Sequence, residues 1–242
     1  MSSHQEAKEN QLIMTKGFFR IALGALAFSL ISCVSSSSLP VFIFEGMVTA
    51  ASGELISDTG DRYVIVNPDA DCPLDSGRFM VSCDAMRKTA EHEYEGRLNG
   101  IVKAEGPQIL TRSGASAEAL ERDPLDVVDV WISGDHINMR NCCITLKDSP
   151  TGHLVNLVFD DTASRGDTLF FSMCHNSFGE KPDNPQHKSK TFLARTYFSS
   201  YSLEKTVPRS HSRKVICLKW RRYSDNGEFV IEEHSASHSY EY

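Results

Sequence analysis

Residues 126 to 140 read DVVDVWISGDHINMR, and this stretch decides the fold class. Valine, isoleucine and tryptophan recur in its first half, and apolar and polar residues alternate in its second half. Both patterns favour β-strands. The dipeptide Gly134-Asp135 between the halves is typical of a tight turn. The stretch therefore predicts two consecutive strands joined by a short connection.

Similar runs continue towards the end of the chain, at residues 142–146, 153–159, 168–174, 192–201, 214–223 and 228–232. Asn226-Gly227, between the last two runs, predicts a hairpin because both residues accept positive φ. This succession of short strands over about 110 residues fits a two-sheet antiparallel β-sandwich, which we place at residues 124–233. Residues 234–242 are polar, and we predict a disordered tail there.

The first half of the chain is also β-rich. Short apolar runs occur at residues 41–44, 47–49, 63–66, 79–81 and 94–102. Four or five strands over roughly 75 residues fit a small barrel or a compact meander, here residues 40–111. Residues 112–123 have no core pattern and are followed directly by Pro124, so we predict a linker there. The fold class is therefore all-β.

The N-terminus resembles a targeting signal. A short basic segment and an apolar run, residues 21–31, precede Ser32-Cys33. This order predicts a bacterial lipoprotein signal peptide over residues 1–32, with acyl chains attached to Cys33. The alternative is a transmembrane anchor, but that needs about 20 mostly apolar residues, more than this run contains.

The mature chain would begin at Cys33, with residues 33–39 as a flexible tether. A start at Met14 instead of Met1 would give a signal peptide of more usual form. Removing residues 1–32 leaves 22 basic and 30 acidic side chains, a net charge of −8. This balance opposes nucleic-acid binding, which needs a basic surface. Membrane attachment would come from lipid rather than from charge.

Six cysteines remain after Cys33, and an even number in an exported chain permits disulfides. Cys72 and Cys83 flank a segment rich in turn-forming residues and are the favoured pair. Closely spaced cysteine pairs of the kind that bind zinc do not occur. The sequence therefore predicts no metal site and no cofactor.

Common catalytic motifs are not found either: there is no nucleophile elbow, no phosphate-binding glycine loop and no HExxH helix. We therefore expect no enzymatic activity. His175-Asn176, directly after a predicted strand, are candidates for contact with a partner or glycan. A strand-end turn is the alternative interpretation. Tyr197, Phe198 and Tyr201 lie close together and could form an aromatic strip for a glycan, although packing in the core explains Phe198 equally well.

The segment from Asp123 to Arg140 resembles the start of the C-terminal domain in NigD-like lipoproteins of the Bacteroidetes. Residues 153–158 and 169–176 also resemble landmarks of that family. The resemblance implies an N-terminal OB-type barrel followed by a β-sandwich, and a role related to bacteriocin immunity without assigned catalytic residues. Lipoproteins that these bacteria export to the cell surface often have acidic residues directly after the lipidated cysteine. Here Cys33 is followed by Val-Ser-Ser-Ser-Ser, which favours the periplasmic side of the outer membrane.

We therefore expect a non-enzymatic lipoprotein of the cell envelope, immunity-like, that binds a protein partner. The alternative is a glycan-binding envelope lipoprotein, in which an aromatic strip would contact sugar.

Overall fold

Five strands of the first half close into a barrel. They are β1 (Phe42–Ala51), β2 (Glu54–Ser57), β3 (Arg62–Ile65), β4 (Gly77–Ala90) and β5 (Glu93–Lys103). In the computed structural model their order around the barrel is β1-β2-β3-β5-β4, with β3 and β5 parallel and the other pairs antiparallel. This five-stranded closure is the one expected of an OB-type barrel. The predicted fold class is confirmed for the first half.

The structure describes residues 39–51, 54–67, 76–106, 108–148, 152–207, 213–224 and 231–240. The predicted signal peptide, Cys33, most of the tether, Cys72 and the Asn226-Gly227 hairpin lie outside the described residues. Residues 38–242 form one compact unit. Within the described ranges, no helix is long and apolar enough to cross a bilayer.

Aromatic rings fill much of the barrel interior. Tyr63 is fully buried, and its ring stacks on Phe44 at a centroid distance of 4.9 Å and on Tyr94 at 5.7 Å. Gly96 allows β5 to pass close to this core, since a Cβ there would lie 2.7 Å from the sulfur of Cys83. Side chains of alternating strand residues therefore pack into the interior of the barrel.

Eight strands follow the barrel. They are β6 (Leu110–Thr111), β7 (Asp126–Ser133), β8 (His136–Leu146), β9 (Leu154–Phe159), β10 (Thr168–Asn176), β11 (Phe192–Ser202), β12 (Lys214–Tyr223) and β13 (Ile231–Tyr240). One sheet has the order β13-β12-β10-β9-β6 and the other β11-β8-β7. The prediction of an antiparallel sandwich is wrong for the larger sheet, which is mixed because β10 runs parallel to β12 and β6 runs parallel to β9. A core that includes Ile137, Leu157, Phe171 and Leu218 is buried in this sandwich, as the sequence predicted.

The segment predicted as a linker, residues 112–123, packs against the sandwich. A 3-10 turn at Glu118–Leu120 lies on β9 and β10. The Asp123 N–H donates to the carbonyl of His175 at 2.8 Å. The last barrel strand ends at Lys103, and β6 pairs with β9. The backbone groups of this segment thus bond to the sandwich, which begins earlier in the chain than predicted.

The C-terminal segment corrects a second expectation. Residues 234–240 belong to β13, which pairs antiparallel with β12, so the predicted disordered tail is wrong for these residues. Every second residue from His234 to Tyr240 is less exposed than its neighbours. His234 stacks on Trp220 at 5.9 Å, and Tyr240 is buried. The polar composition concealed a two-residue alternation that is typical of a strand.

Arg78 of β4 joins the barrel to the sandwich. Its Nε donates to Ser200 Oγ at 3.1 Å and its Nη2 to Asn138 Oδ1 at 3.3 Å. Within the barrel it bonds Thr49 Oγ1 at 3.1 Å and both carboxylate oxygens of Asp58. All five N–H groups of the guanidinium are therefore used. Arg78 fixes the position of the barrel relative to the sandwich.

Backbone hydrogen bonds strengthen the same junction. The Glu105 N–H donates to Phe198 O at 2.8 Å, and the Ser200 N–H donates to Glu105 O at 2.7 Å. At the neighbouring Gly106, a Cβ would lie 2.0 Å from Ser200 O. Only glycine fits this close approach of two backbones. Glu105 and Gly106, directly after the last barrel strand, are therefore held against β11 of the sandwich.

Candidate functional site

An exposed aromatic side chain lies in the loop that follows β10. Phe178 is 51% exposed, and its φ of 52° lies in the left-handed region. A bulky residue rarely adopts this conformation, which costs about 1–3 kcal/mol and persists only where its surroundings enforce it. Gly179 follows with φ 83°. We call residues 176–184 the Phe178 loop.

Hydrogen bonds from buried polar groups hold the start of this loop. Asn176 Oδ1 accepts from the Phe178 N–H at 2.8 Å, which is the local turn that asparagine favours. The Ser177 N–H and Oγ both donate to Asp123 Oδ2, at 2.9 and 2.6 Å. The Glu180 N–H donates to Ser177 O at 3.0 Å. These bonds fix the backbone on both sides of Phe178.

Asp123 is the charged support of the loop. Lys181 Nζ lies 2.5 Å from Asp123 Oδ1. Burial by itself would raise the pKa of Asp123, but hydrogen bonds from Lys181 and Ser177 lower it below its ordinary value. The carboxylate therefore remains ionised at neutral pH and can accept hydrogen bonds from the loop. One anion thereby ties the segment before β7 to the loop after β10.

Two histidines and a glutamate form a chain of contacts beneath the loop. His175 Nδ1 lies 2.9 Å from Pro124 O, and His175 Nε2 lies 2.9 Å from His153 Nδ1. His153 Nε2 lies 3.3 Å from Glu180 Oε2. The His153 and Glu180 side chains are both almost completely buried. The chain connects the segment before β7 with β10, the start of β9 and the loop itself.

The contacts determine which atoms of His175 carry a proton. A carbonyl oxygen only accepts, so His175 Nδ1 donates to Pro124 O. In the neutral ring Nε2 is then an acceptor, and it takes the hydrogen bond from His153 Nδ1. Burial, and then the neighbouring His153, lower the pKa of His175 to about 4. His175 is therefore neutral at physiological pH.

The contacts among His175, His153 and Glu180 are suited to fixing the conformation of the loop above them. Each ring nitrogen of His175 and His153 faces another protein group within 3.3 Å, so the described contacts leave no imidazole nitrogen directed at a substrate. Over the described ranges, no group of three His, Cys, Asp or Glu side chains could hold a metal ion. The polar cluster positions the loop, and the group that it presents to solvent is the Phe178 ring.

His175 and Asn176 were expected to contact a partner or glycan themselves. The structure corrects this, because His175 is only 3% exposed and Asn176 is also buried. Their polar atoms bond to the protein, as the alternative interpretation of a strand-end turn proposed. Their role is to position Phe178, two residues further along the chain.

The expected aromatic strip on β11 is not at the surface. Tyr201 is only 2% exposed, and the partly buried Tyr197 packs against the sandwich core. Residues four apart on a strand share a face, and here that face is turned inward. Burial raises the pKa of the Tyr201 hydroxyl to about 12. The correction removes the surface on which the glycan alternative rested.

Cys83 lies in the barrel core, where its Sγ donates to Asp84 O at 3.8 Å. Its proposed disulfide partner, Cys72, lies outside the described residues, so this pairing stays a prediction.

Sequence reasoning did not identify Phe178. The signal was a large apolar residue placed among turn-forming residues, in the segment Asn176-Ser177-Phe178-Gly179. Such a residue cannot reach the core from a tight turn and is therefore exposed.

The sequence of the region that contains this site matches a known protein family. Residues 108–232, more than half of the chain, match the model of the NigD-like C-terminal beta sandwich domain. The match includes the 3-10 turn, Asp123 and the whole Phe178 loop. No curated protein matches the chain.

Solved structures share the fold of both halves. A NigD-like immunity protein from Bacteroides caccae is 18% identical with a TM-score of 0.57, covering 79% of this chain and 91% of that one. A Bacteroides fragilis protein named as a candidate lipoprotein is 13% identical with a TM-score of 0.58. The match covers 81% of this chain and 97% of that one. A protein of unknown function from Bacteroides vulgatus is 16% identical with a TM-score of 0.59, covering 83% and 91%. At these identities the likeness concerns the fold.

Proposed function

The chain belongs to the NigD-like family, and on this premise we propose that it is a non-enzymatic, lipid-anchored protein of the cell envelope that binds a protein partner through the Phe178 loop. The anchor is the acylated Cys33, on the periplasmic side of the outer membrane. The role is immunity-like, in that the bound partner is a toxin or another envelope protein. The name of the Bacteroides caccae structure supports this role.

The proposal rests on the exposed Phe178 ring at a strained backbone position. Aromatic side chains dominate the energetics of protein interfaces when they enter a pocket on the partner. Burying the exposed half of a phenylalanine side chain stabilises a complex by about 1 kcal/mol or more. Because hydrogen bonds to Asn176 and Asp123 already fix the loop, little conformational entropy is lost on binding.

The test is chemical crosslinking of the lipidated protein in its own envelope fraction, followed by affinity capture. Phe178→Asn removes the ring but tolerates positive φ, so the loop keeps its backbone. Leu193→Asn is the matched control, since Leu193 is also an exposed apolar residue but lies on β11. We expect Phe178→Asn to reduce recovery of one specific protein about tenfold, corresponding to about 1.4 kcal/mol.

Equal recovery with Phe178→Asn and with the unsubstituted protein would refute the binding site. Recovery of polysaccharide in place of protein would favour the glycan alternative. The anchor is tested separately: Cys33→Ser should move the chain from the membrane fraction to the soluble fraction. Continued membrane association of that variant would contradict the proposed lipid attachment.

A further inference from the structure

The first residues of the barrel expose a row of large apolar side chains. Leu39, Val41 and Ile43 are 88%, 62% and 63% exposed. Ile43 lies in β1, and Val41 and Leu39 come two and four residues before it, at the N-terminal end of the strand. Phe42 and Phe44, between and beyond them, contact Tyr94 and Tyr63 instead. We call Leu39, Val41 and Ile43 the N-terminal apolar face.

Polar side chains of β4 and β5 near this face bond to each other. Ile43 pairs with Asp84 of β4. The Asp84 carboxylate accepts from Arg97 Nη2 at 2.6 Å and from Asn99 Nδ2 at 2.9 Å. The charges beside the apolar face are thus satisfied within the barrel, and the apolar side chains remain open to another surface.

Phe42, at the start of β1, belongs to a group of aromatic and basic side chains on the other side of the strand. The partly exposed Phe42 packs edge-on against Tyr94 with a centroid distance of 5.1 Å. Lys88 Nζ lies 6.0 Å from the centroid of the Tyr94 ring. Aromatic rings at the level of the lipid headgroups, with lysine amines extending into water, are typical of protein surfaces that contact a bilayer.

The length of the preceding chain limits where this face can lie. Leu39 follows Cys33 by only six positions along the chain. Even a fully extended chain spans at most about 3.6 Å per residue, or roughly 20 Å here. With acyl chains on Cys33 inserted in the membrane, Leu39 stays within roughly that distance of the lipid headgroups. A tether of this length also gives the face an effective concentration in the millimolar range at the bilayer, so that a weak contact is occupied.

We propose that the N-terminal apolar face docks on the headgroup region of the membrane to which Cys33 is anchored. This inference rests on the lipid attachment in the proposed function. Docking turns the N-terminal end of β1 towards the bilayer. Because the barrel is hydrogen-bonded to the sandwich, docking also sets the orientation of the sandwich relative to the membrane. The driving force is burial of apolar surface and not charge, which agrees with the acidic balance of the chain.

Tryptophan quenching by lipids with brominated acyl chains tests the docking. Ile43→Trp places a reporter on the face, and Leu193→Trp places the control on the exposed side of β11. The unsubstituted protein supplies the background from Trp131 and Trp220. Each protein, the whole chain from residue 33, is measured in vesicles in its naturally acylated form. Each is also measured bound to nickel-chelating lipid through a histidine tag before residue 33.

We expect the Ile43→Trp reporter to be quenched at least about twofold more than the Leu193→Trp control in both preparations. Adding Leu39→Ser and Val41→Ser should reduce this difference. Equal quenching of reporter and control overturns the docking. The docking is also overturned if the protein forms a dimer in which the Ile43→Trp reporter is shielded from water but not quenched by the lipid. That result would mean that the face contacts a second copy of the chain. Mass spectrometry of the N-terminal peptide tests acylation independently, so docking and anchoring can fail separately.

Discussion

Mild acid should destabilise the protein through His175. The pKa of this side chain falls from 6.5 to about 4 on folding because the ring is buried beside His153. Between these two values the unfolded chain binds a proton that the folded chain does not. The folded state is therefore fully favoured above pH 6.5, loses stability as the pH falls towards 4, and loses no more from this group below that.

The size of the effect follows from the two pKa values. A pKa difference of one between the folded and the unfolded state corresponds to about 1.4 kcal/mol. The full loss in the free energy of unfolding is therefore on the order of 3 kcal/mol. Carboxylates with lowered pKa values, such as Asp123 and Asp84, lose their contribution at lower pH. The pKa of His136 is also lowered by burial, and it acts in the same direction. The His175 contribution is therefore obtained as a difference between variants.

Urea unfolding at several pH values between about 7 and 4.5 measures the free energy of unfolding. In His175→Asn, the new Nδ2 can still donate to Pro124 O, but His153 Nδ1 loses its acceptor. This loss should cost about 1–3 kcal/mol at neutral pH. The variant should then lose less stability on acidification than the unsubstituted protein.

An identical pH dependence in His175→Asn and in the unsubstituted protein would refute the reasoning. It would mean that His175 is not held neutral by burial.

Three further predictions concern the junction and the last strand, and urea unfolding checks each of them. Arg78→Ala removes the cationic partner of the almost completely buried Asp58 carboxylate and should cost about 3–5 kcal/mol. Gly106→Ala forces a Cβ to within 2.0 Å of a backbone carbonyl of β11 and should destabilise the protein, whereas Gly100→Ala, with open space around it, should not. Deleting residues 234–242 removes most of β13 and should lower the unfolding midpoint, whereas a disordered tail could be removed without effect.

The strands were predictable because local patterns determine them. The alternation in residues 126–140 and the turn at Gly134-Asp135 correspond to β7, β8 and their connection. Predictions were poorer where polar residues form ordered structure. The last strand is rich in serine and histidine, and its order comes from pairing with β12. Residues 112–123 are likewise held by contacts with distant strands, which composition does not reveal.

The candidate site shows the same limit. A histidine and an asparagine at a strand end indicated a polar feature at His175-Asn176, but burial depends on partners far away in sequence. Asp123, Pro124 and His153 satisfy these polar groups, and they reach the site only through the sheet topology. These contacts hold the backbone at Phe178 in a conformation that leaves its ring exposed.

The central claim, that the Phe178 loop binds a protein partner, is tested most directly by photocrosslinking in living cells. Benzoylphenylalanine is incorporated in place of Phe178, where it keeps an aromatic ring at the same position, and in place of Leu193 as the control. The account predicts one discrete protein adduct, identifiable by mass spectrometry, from position 178 and none from position 193. No adduct from position 178, or the same adducts from both positions, would contradict it.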